Sequence, residues 1–131
     1  MEVPESEDKI ARTILDAAFT VHSALGPGLF ESVYEAVLAY ELGLRGLTVR
    51  RQVPIPIIYG ELRFDEGFRA DLLVADRVIA ELKSVEALAP VHAKQVLTQL
   101  RLSGHRLGLL INFGAIHLKD GIRRLVNGLP E

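Results

Sequence analysis

The stretch Arg69-Ala70-Asp71-Leu72-Leu73-Val74-Ala75-Asp76-Arg77-Val78-Ile79-Ala80-Glu81-Leu82-Lys83 contains two apolar, strand-like runs joined tightly around Asp76-Arg77. Both carry charge: Asp71 lies in the first run, Glu81 and Lys83 in the second. A charge inside an apolar strand is costly unless it is paired or coordinates a metal. The partner of these three groups therefore decides what the stretch does.

Residues two apart in a strand share a face. Glu81 and Lys83 point the same way as Ile79, while Ala80 and Leu82 point the other way. Whether Asp71 joins them depends on the connection. A two-residue loop at Asp76-Arg77 places Asp71 opposite Leu82, on the wrong face. A three-residue loop, Ala75 to Arg77 or Asp76 to Val78, places it opposite Glu81 or Lys83. A bulge or bend near Ala70-Asp71 has the same effect. One of these odd-parity arrangements is expected. Two converging carboxylates suit a hard divalent cation such as Mg²⁺ or Mn²⁺. A neighbouring ammonium can then orient a water and stabilise charge developing on a phosphoryl group. An isolated Glu-x-Lys is more often a solvated salt bridge. Here the apolar flanks and Asp71 upstream favour a site.

Around this stretch the chain reads as helices, then strands, then a crossover. Ser6 is the expected N-cap of a first helix, whose apolar positions are Ile10, Ile14, Ala17, Ala18, Val21 and Leu25. Gly26-Pro27-Gly28 breaks it. A second helix is expected from about Leu29 to about Leu44, with Phe30, Val33, Val37, Tyr40 and Leu44 as its apolar stripe. Thr48 to Val53, Ile55 to Tyr59 and a weak Leu62 to Phe64 precede the central pair of strands. Pro54 and Pro56 suggest an edge position or a bulge. Pro90 opens a third helix, which Gly104 closes, with Ala93, Val96, Leu97 and Leu100 facing the core. Leu107 to Phe113 reads as a strand buried on both faces, in parallel with the Val78 run. A short helix is expected between Lys119 and Asn127. The fold class is α/β, with a mixed sheet flanked by helices.

Length and composition set the outer bounds. The 131 residues suit a single domain over 1–131, with 1–7 expected to be flexible. There is no cysteine, which removes disulfides, thiolate metal sites and thiol nucleophiles. The first residues are acidic and carry no apolar segment, so no signal peptide is read there. A cytoplasmic location and no membrane partner are expected. The formal charge of −2 leaves room for a local basic surface. No Gly-rich phosphate loop occurs. The aromatics sit mostly at core-like positions, which speaks against a stacking platform for single strands.

Asp71 followed by Glu81-Leu82-Lys83 resembles the D…(D/E)-x-K signature of the PD-(D/E)XK nuclease superfamily. Gly28-Leu29-Phe30-Glu31-Ser32-Val33-Tyr34 is similar to the G-x-x-E-x-x-Y motif of the GxxExxY protein family, a bacterial and archaeal branch of that superfamily. The resemblance runs from about Ile10 to about Gly128. It implies a restriction-endonuclease-like αβββαβ core with a mixed sheet of four or more strands. It implies Asp71 and Glu81 as metal ligands, the Leu82 carbonyl as a third ligand, Lys83 as the catalytic lysine, and Glu31 pointing into the same site. It supplies no substrate. The proline of the signature is Ala70 here, and Gln99 stands where relatives carry a tyrosine after Gln95.

The expectation is a metal-dependent nuclease using Mg²⁺ or Mn²⁺ on nucleic acid, with DNA as the favoured substrate. Asp71 and Glu81 would bind metal, and Lys83 would position the attacking water. Glu31 would bind a second ion through water or orient the first ion's shell, and Gln95 would assist. A homodimer or partner protein would supply sequence specificity. The alternative is a catalytically silent nucleic-acid-binding or metal-binding regulatory module. Tyr34 is balanced between packing and contacting the site, Glu35 reads as surface, and His22 and His92 read as structural. Most of the arginines read as solvated surface.

Overall fold

The computed structural model describes residues 6–129. The elements run α1 (Glu7–Leu25), α2 (Glu31–Leu44), β1 (Val49–Tyr59), β2 (Leu62–Val74), β3 (Val78–Lys83), α3 (Pro90–Ser103), β4 (Leu107–Asn112), a 3₁₀ turn (Leu118–Gly121) and β5 (Ile122–Val126). The sheet order is β1-β2-β3-β4-β5. The β3–β4 pair is parallel and the other neighbours are antiparallel. This is the expected mixed α/β sheet, consistent with a restriction-endonuclease-like fold.

Of the flexible segment expected over 1–7, residues 1–5 lie outside the described residues. Ser6 and Glu7 lie within the described residues. The Ser6 hydroxyl accepts from the Lys9 N–H, and Glu7 opens α1 and pairs with Arg77 at 3.2 Å. The short final helix expected between Lys119 and Asn127 is not formed. Ile122–Val126 instead pairs with β4, giving that fully buried strand a second neighbour for its backbone groups.

The sheet separates two cores. On one side α1 and α2 cover Leu72, Val74, Val78, Ala80, Leu82, Leu107, Leu109 and Ile111. On the other side Val96 and Leu100 of α3 cover Leu73, Ile79 and Leu110. The alternation along β3 is the one expected for Glu81 and Lys83: both share the parity of Ile79 and lie on the α3 side.

The expected stripe of α2 is corrected. Tyr34, Leu38 and Leu42 are buried, together with Glu35. Phe30 is 81% exposed, Tyr40 68% and Leu44 65%. Both sets recur at helical spacing, so periodicity alone selects neither. The choice is made by Tyr34, whose ring stacks on Phe113 at 4.5 Å while its hydroxyl is tied into the preceding turn. The placing of most aromatics in the core fails with it. Phe19, Phe30, Tyr40, Tyr59 and Phe64 are exposed, whereas Tyr34 and Phe113 are fully buried.

β1 and β2 form one long hairpin, with β1 as a single edge strand; opposite Pro56, between the pairs Ile55–Phe68 and Ile57–Phe64, the register shifts and β2 carries the extra residues. Pro54 and Pro56 are two apart and face the same edge, where a missing N–H costs no ladder bond. The hairpin also kinks. Val49 and Leu72 pack on the α1/α2 side, but Val53 and Ala70, at the same strand parity, pack on the α3 side. The reversal falls at Gln52 and Asp71, which stand opposite each other in register. Gln52 has a left-handed φ of +51°.

Candidate metal centre

The connection between β2 and β3 decides whether the charged residues meet. Val74 pairs with Val78, Leu73 with Ile79 and Leu72 with Ala80. The loop is therefore Ala75 to Arg77, one of the expected three-residue forms, and its register sets Asp71 opposite Glu81. Ala75 and Asp76 both take left-handed backbone, at φ +53° and +54°. Arg50 holds the turn through Asp76 at 2.8 Å. The regular ladder stops at Leu72–Ala80, and beyond it the side chain of Asp71 takes over. Its Oδ2 accepts the Leu82 N–H at 2.9 Å.

The two carboxyl groups are close enough for the charge of Asp71 to act on Glu81. Burial, and then the charge of Asp71, push Glu81 up to about 8, against the opposing pull of Lys83. Burial likewise raises Asp71, partly offset by the Leu82 N–H. Glu81 Oε2 is buried without a hydrogen-bond partner. A buried carboxylate oxygen left unpaired beside a second carboxylate is a costly arrangement that a cation would relieve.

Among the described residues no group of three or more His, Asp or Glu side chains forms a ready metal cluster. The groups here that could hold a metal are two carboxylates and a backbone carbonyl, with waters to complete the shell. Such a set suits a small hard cation that keeps several waters. In a strand the N–H and C=O of one residue point to the same side. The Leu82 N–H is directed at Asp71, so the Leu82 carbonyl faces the site. The Lys83 carbonyl points the other way, to the Phe113 N–H at 2.8 Å.

Glu31 is the first residue of α2. It lines a cavity of about 460 Å³ with Ser32, Glu35, Gln52 and Asp71. The flanking motif residues hold it there. Gly28 takes φ +95°, the Tyr34 hydroxyl donates to the Gly26 carbonyl, and it accepts the Leu29 N–H at 3.1 Å. Ser84, next to Lys83, donates to the Leu29 carbonyl at 2.6 Å and ties this loop to the end of β3. Tyr34 is thus a packing and loop-holding residue.

Gln95 is not brought into this cavity. It is exposed on α3 and lines a separate groove with Lys94, Thr98, Gln99 and Phe68. His22 donates to the Ala115 carbonyl at 2.8 Å, and His92 accepts the Ala89 N–H at the start of α3, both structural as expected. Several arginines are engaged with carboxylates: Arg45 with Glu41, Arg63 with Asp65 and Arg69 with Glu66 locally, and Arg124 with the distant Asp8.

Glu35 is not a surface residue. It is 7% exposed. Its Oε2 accepts Nε and Nη2 of Arg51 at 3.1 and 3.0 Å, and its Oε1 accepts the Gln52 amide. Gln52 also donates to Asp71 Oδ1 at 3.3 Å. Sequence reasoning missed Gln52, because its only signal is its place opposite Asp71 once the hairpin register is known. Asn112 was missed too. It is buried at the end of β4, accepts the N–H groups of Val85 and Gly114, and donates to the Val85 carbonyl. A lone amide inside the apolar run Leu107 to Phe113 was the available hint.

A family model described as the PD-(D/E)XK nuclease superfamily matches residues 8–125. The chain belongs to the PD-(D/E)XK nuclease superfamily. No curated protein and no solved structure gives a significant match. Members of the superfamily typically use divalent metals, and the donor set at Asp71 and Glu81 fits one. No described helix is long and apolar enough to cross a membrane.

Proposed function

We propose that this domain is a metal-dependent phosphodiesterase acting on nucleic acid, with DNA the favoured substrate, and that it belongs to the GxxExxY branch of its superfamily. The observation that carries the reading is the unpartnered, buried Glu81 Oε2 beside Asp71, with Lys83 on the same strand face. Asp71, Glu81 and the Leu82 carbonyl would hold Mg²⁺ or Mn²⁺. A divalent ion there supplies a Lewis acid for a phosphoryl oxygen and lowers the pKa of the attacking water. Lys83 orients that water and offsets charge that develops on the phosphoryl oxygens. Glu31, at the first turn of α2 and lining the same cavity as Asp71, would bind a second ion through water or orient the first ion's shell. Gln95 would contact substrate from the groove it lines on α3. Sequence selectivity falls to a second copy or a partner protein.

The test is Mn²⁺-dependent cleavage of assorted DNA and RNA substrates by wild type, Lys83→Ala and Asp71→Ala. Cleavage by wild type that both substitutions abolish is the expected result. Activity that survives both refutes the assignment. Mn²⁺ binding without cleavage of any substrate favours a silent regulatory module.

A further inference from the structure

Resting on the metal-site reading above, we propose that Gln52 is a positioning residue. With Glu35 as its buried anchor, it fixes the Asp71 carboxylate in the orientation that receives the cation. The amide nitrogen of Gln52 carries two N–H groups and spends them on two carboxylates, Glu35 Oε1 and Asp71 Oδ1. Glu35 is saturated on its other oxygen by the Arg51 fork. It therefore acts as an anchor, not as a ligand. Asp71 is then held at both oxygens, by Gln52 at Oδ1 and by the Leu82 N–H at Oδ2, so the plane of its carboxylate is fixed. Each of its oxygens keeps a second lone pair for a further partner.

Two further features fit this role. Gln52 adopts a left-handed backbone, which is unfavourable for a residue with a side chain and persists only where its surroundings enforce it. That backbone is the turning point of the hairpin kink. The amide is also neutral. A lysine or arginine in the same place could bridge the two carboxylates, but its charge would oppose a cation at Asp71.

The experiment compares wild type, Gln52→Gly and Gln52→Asn by Mn²⁺ affinity, measured by electron paramagnetic resonance, and by melting temperature in metal-free buffer. Glycine accepts the left-handed backbone but has no amide side chain. Asparagine tolerates that backbone but is one methylene short of the bridge. Both variants should bind Mn²⁺ about tenfold more weakly, the low end for loss of an outer-shell partner. The melting temperature of Gln52→Gly should change by only a few degrees, because relief of the left-handed strain works against loss of the hydrogen bond to buried Glu35. A residue with a merely structural role does not lose affinity while stability holds. Unchanged affinity in Gln52→Gly, or an affinity loss that only accompanies a collapse of the fold, overturns the role of Gln52 and leaves the metal site standing. Wild type that binds no Mn²⁺ overturns both.

Discussion

Glu81→Gln should stabilise the metal-free protein, and increasingly so as pH rises. The neighbours of Glu81 that matter are Asp71, whose charge raises it, and Lys83, whose charge lowers it; burial is the larger cause of the net rise from 4.5 to about 8. At neutral pH the folded chain therefore keeps a proton on Glu81 that the unfolded chain has released. The folded state binds more protons over this interval, so stability falls as pH climbs from 4.5 to about 8. At roughly 1.4 kcal/mol per pKa unit, the interval sets a ceiling of about 5 kcal/mol. Glu81 and Asp71 titrate as a pair, so about 2 kcal/mol is a sounder expectation for Glu81 itself. Glutamine keeps the shape and cannot ionise. Urea unfolding in EDTA at several values between about pH 5 and about pH 9 reads the difference. Wild type should fall relative to the variant by that amount, and Mn²⁺ at about 100 times its Kd should restore about 2.7 kcal/mol to wild type alone. Parallel stability curves for the two proteins across this range would refute the reasoning.

Other outcomes follow from the loops that frame the site. Asn112→Ala leaves both polar groups of Val85 and the Gly114 N–H without their partner, and should cost about 3 kcal/mol in chemical unfolding. In Gly114→Ala the new Cβ would stand 2.3 Å from the Val85 carbonyl oxygen, so a loss of about 1–3 kcal/mol is expected by the same measurement. Tyr34→Phe keeps the stack on Phe113 but frees the Gly26 carbonyl and the Leu29 N–H, costing about 1–2 kcal/mol. Faster amide exchange at Leu29 to Glu31 would show that the loss lies in the motif loop. Lys83→Ala should abolish cleavage while Mn²⁺ affinity stays within a few-fold of wild type.

The elements that were legible in the sequence are those whose signals are local. Ser6, Pro90 and Gly104 mark helix ends because caps and breakers act within one turn. The run Leu107 to Asn112 is apolar at almost every position because both its faces are covered. Parity arithmetic along Asp71, Glu81 and Lys83 narrowed the hairpin to odd loops, and the motif around Gly28 and Tyr34 pointed to Glu31. The second helix was misread because it has two apolar stripes, and only the stack of Tyr34 on Phe113, 79 residues away in sequence, selects one. The last segment became a strand because β4 had an edge to fill, a need that residues 122–126 do not announce. Glu35 looked like a surface charge until Arg51 and Gln52 arrived from β1.

The opening stretch determined by itself that two carboxylates and a lysine belong to paired strands, because side-chain alternation is a property of the backbone alone. Tertiary structure decided how those groups are held. The kink at Gln52 and Asp71 moves the hairpin from one sheet face to the other, and it sets Asp71 between Glu81 and the α2 residues Glu31 and Glu35. That placement depends on contacts between residues far apart in the chain, whose energies no local pattern encodes.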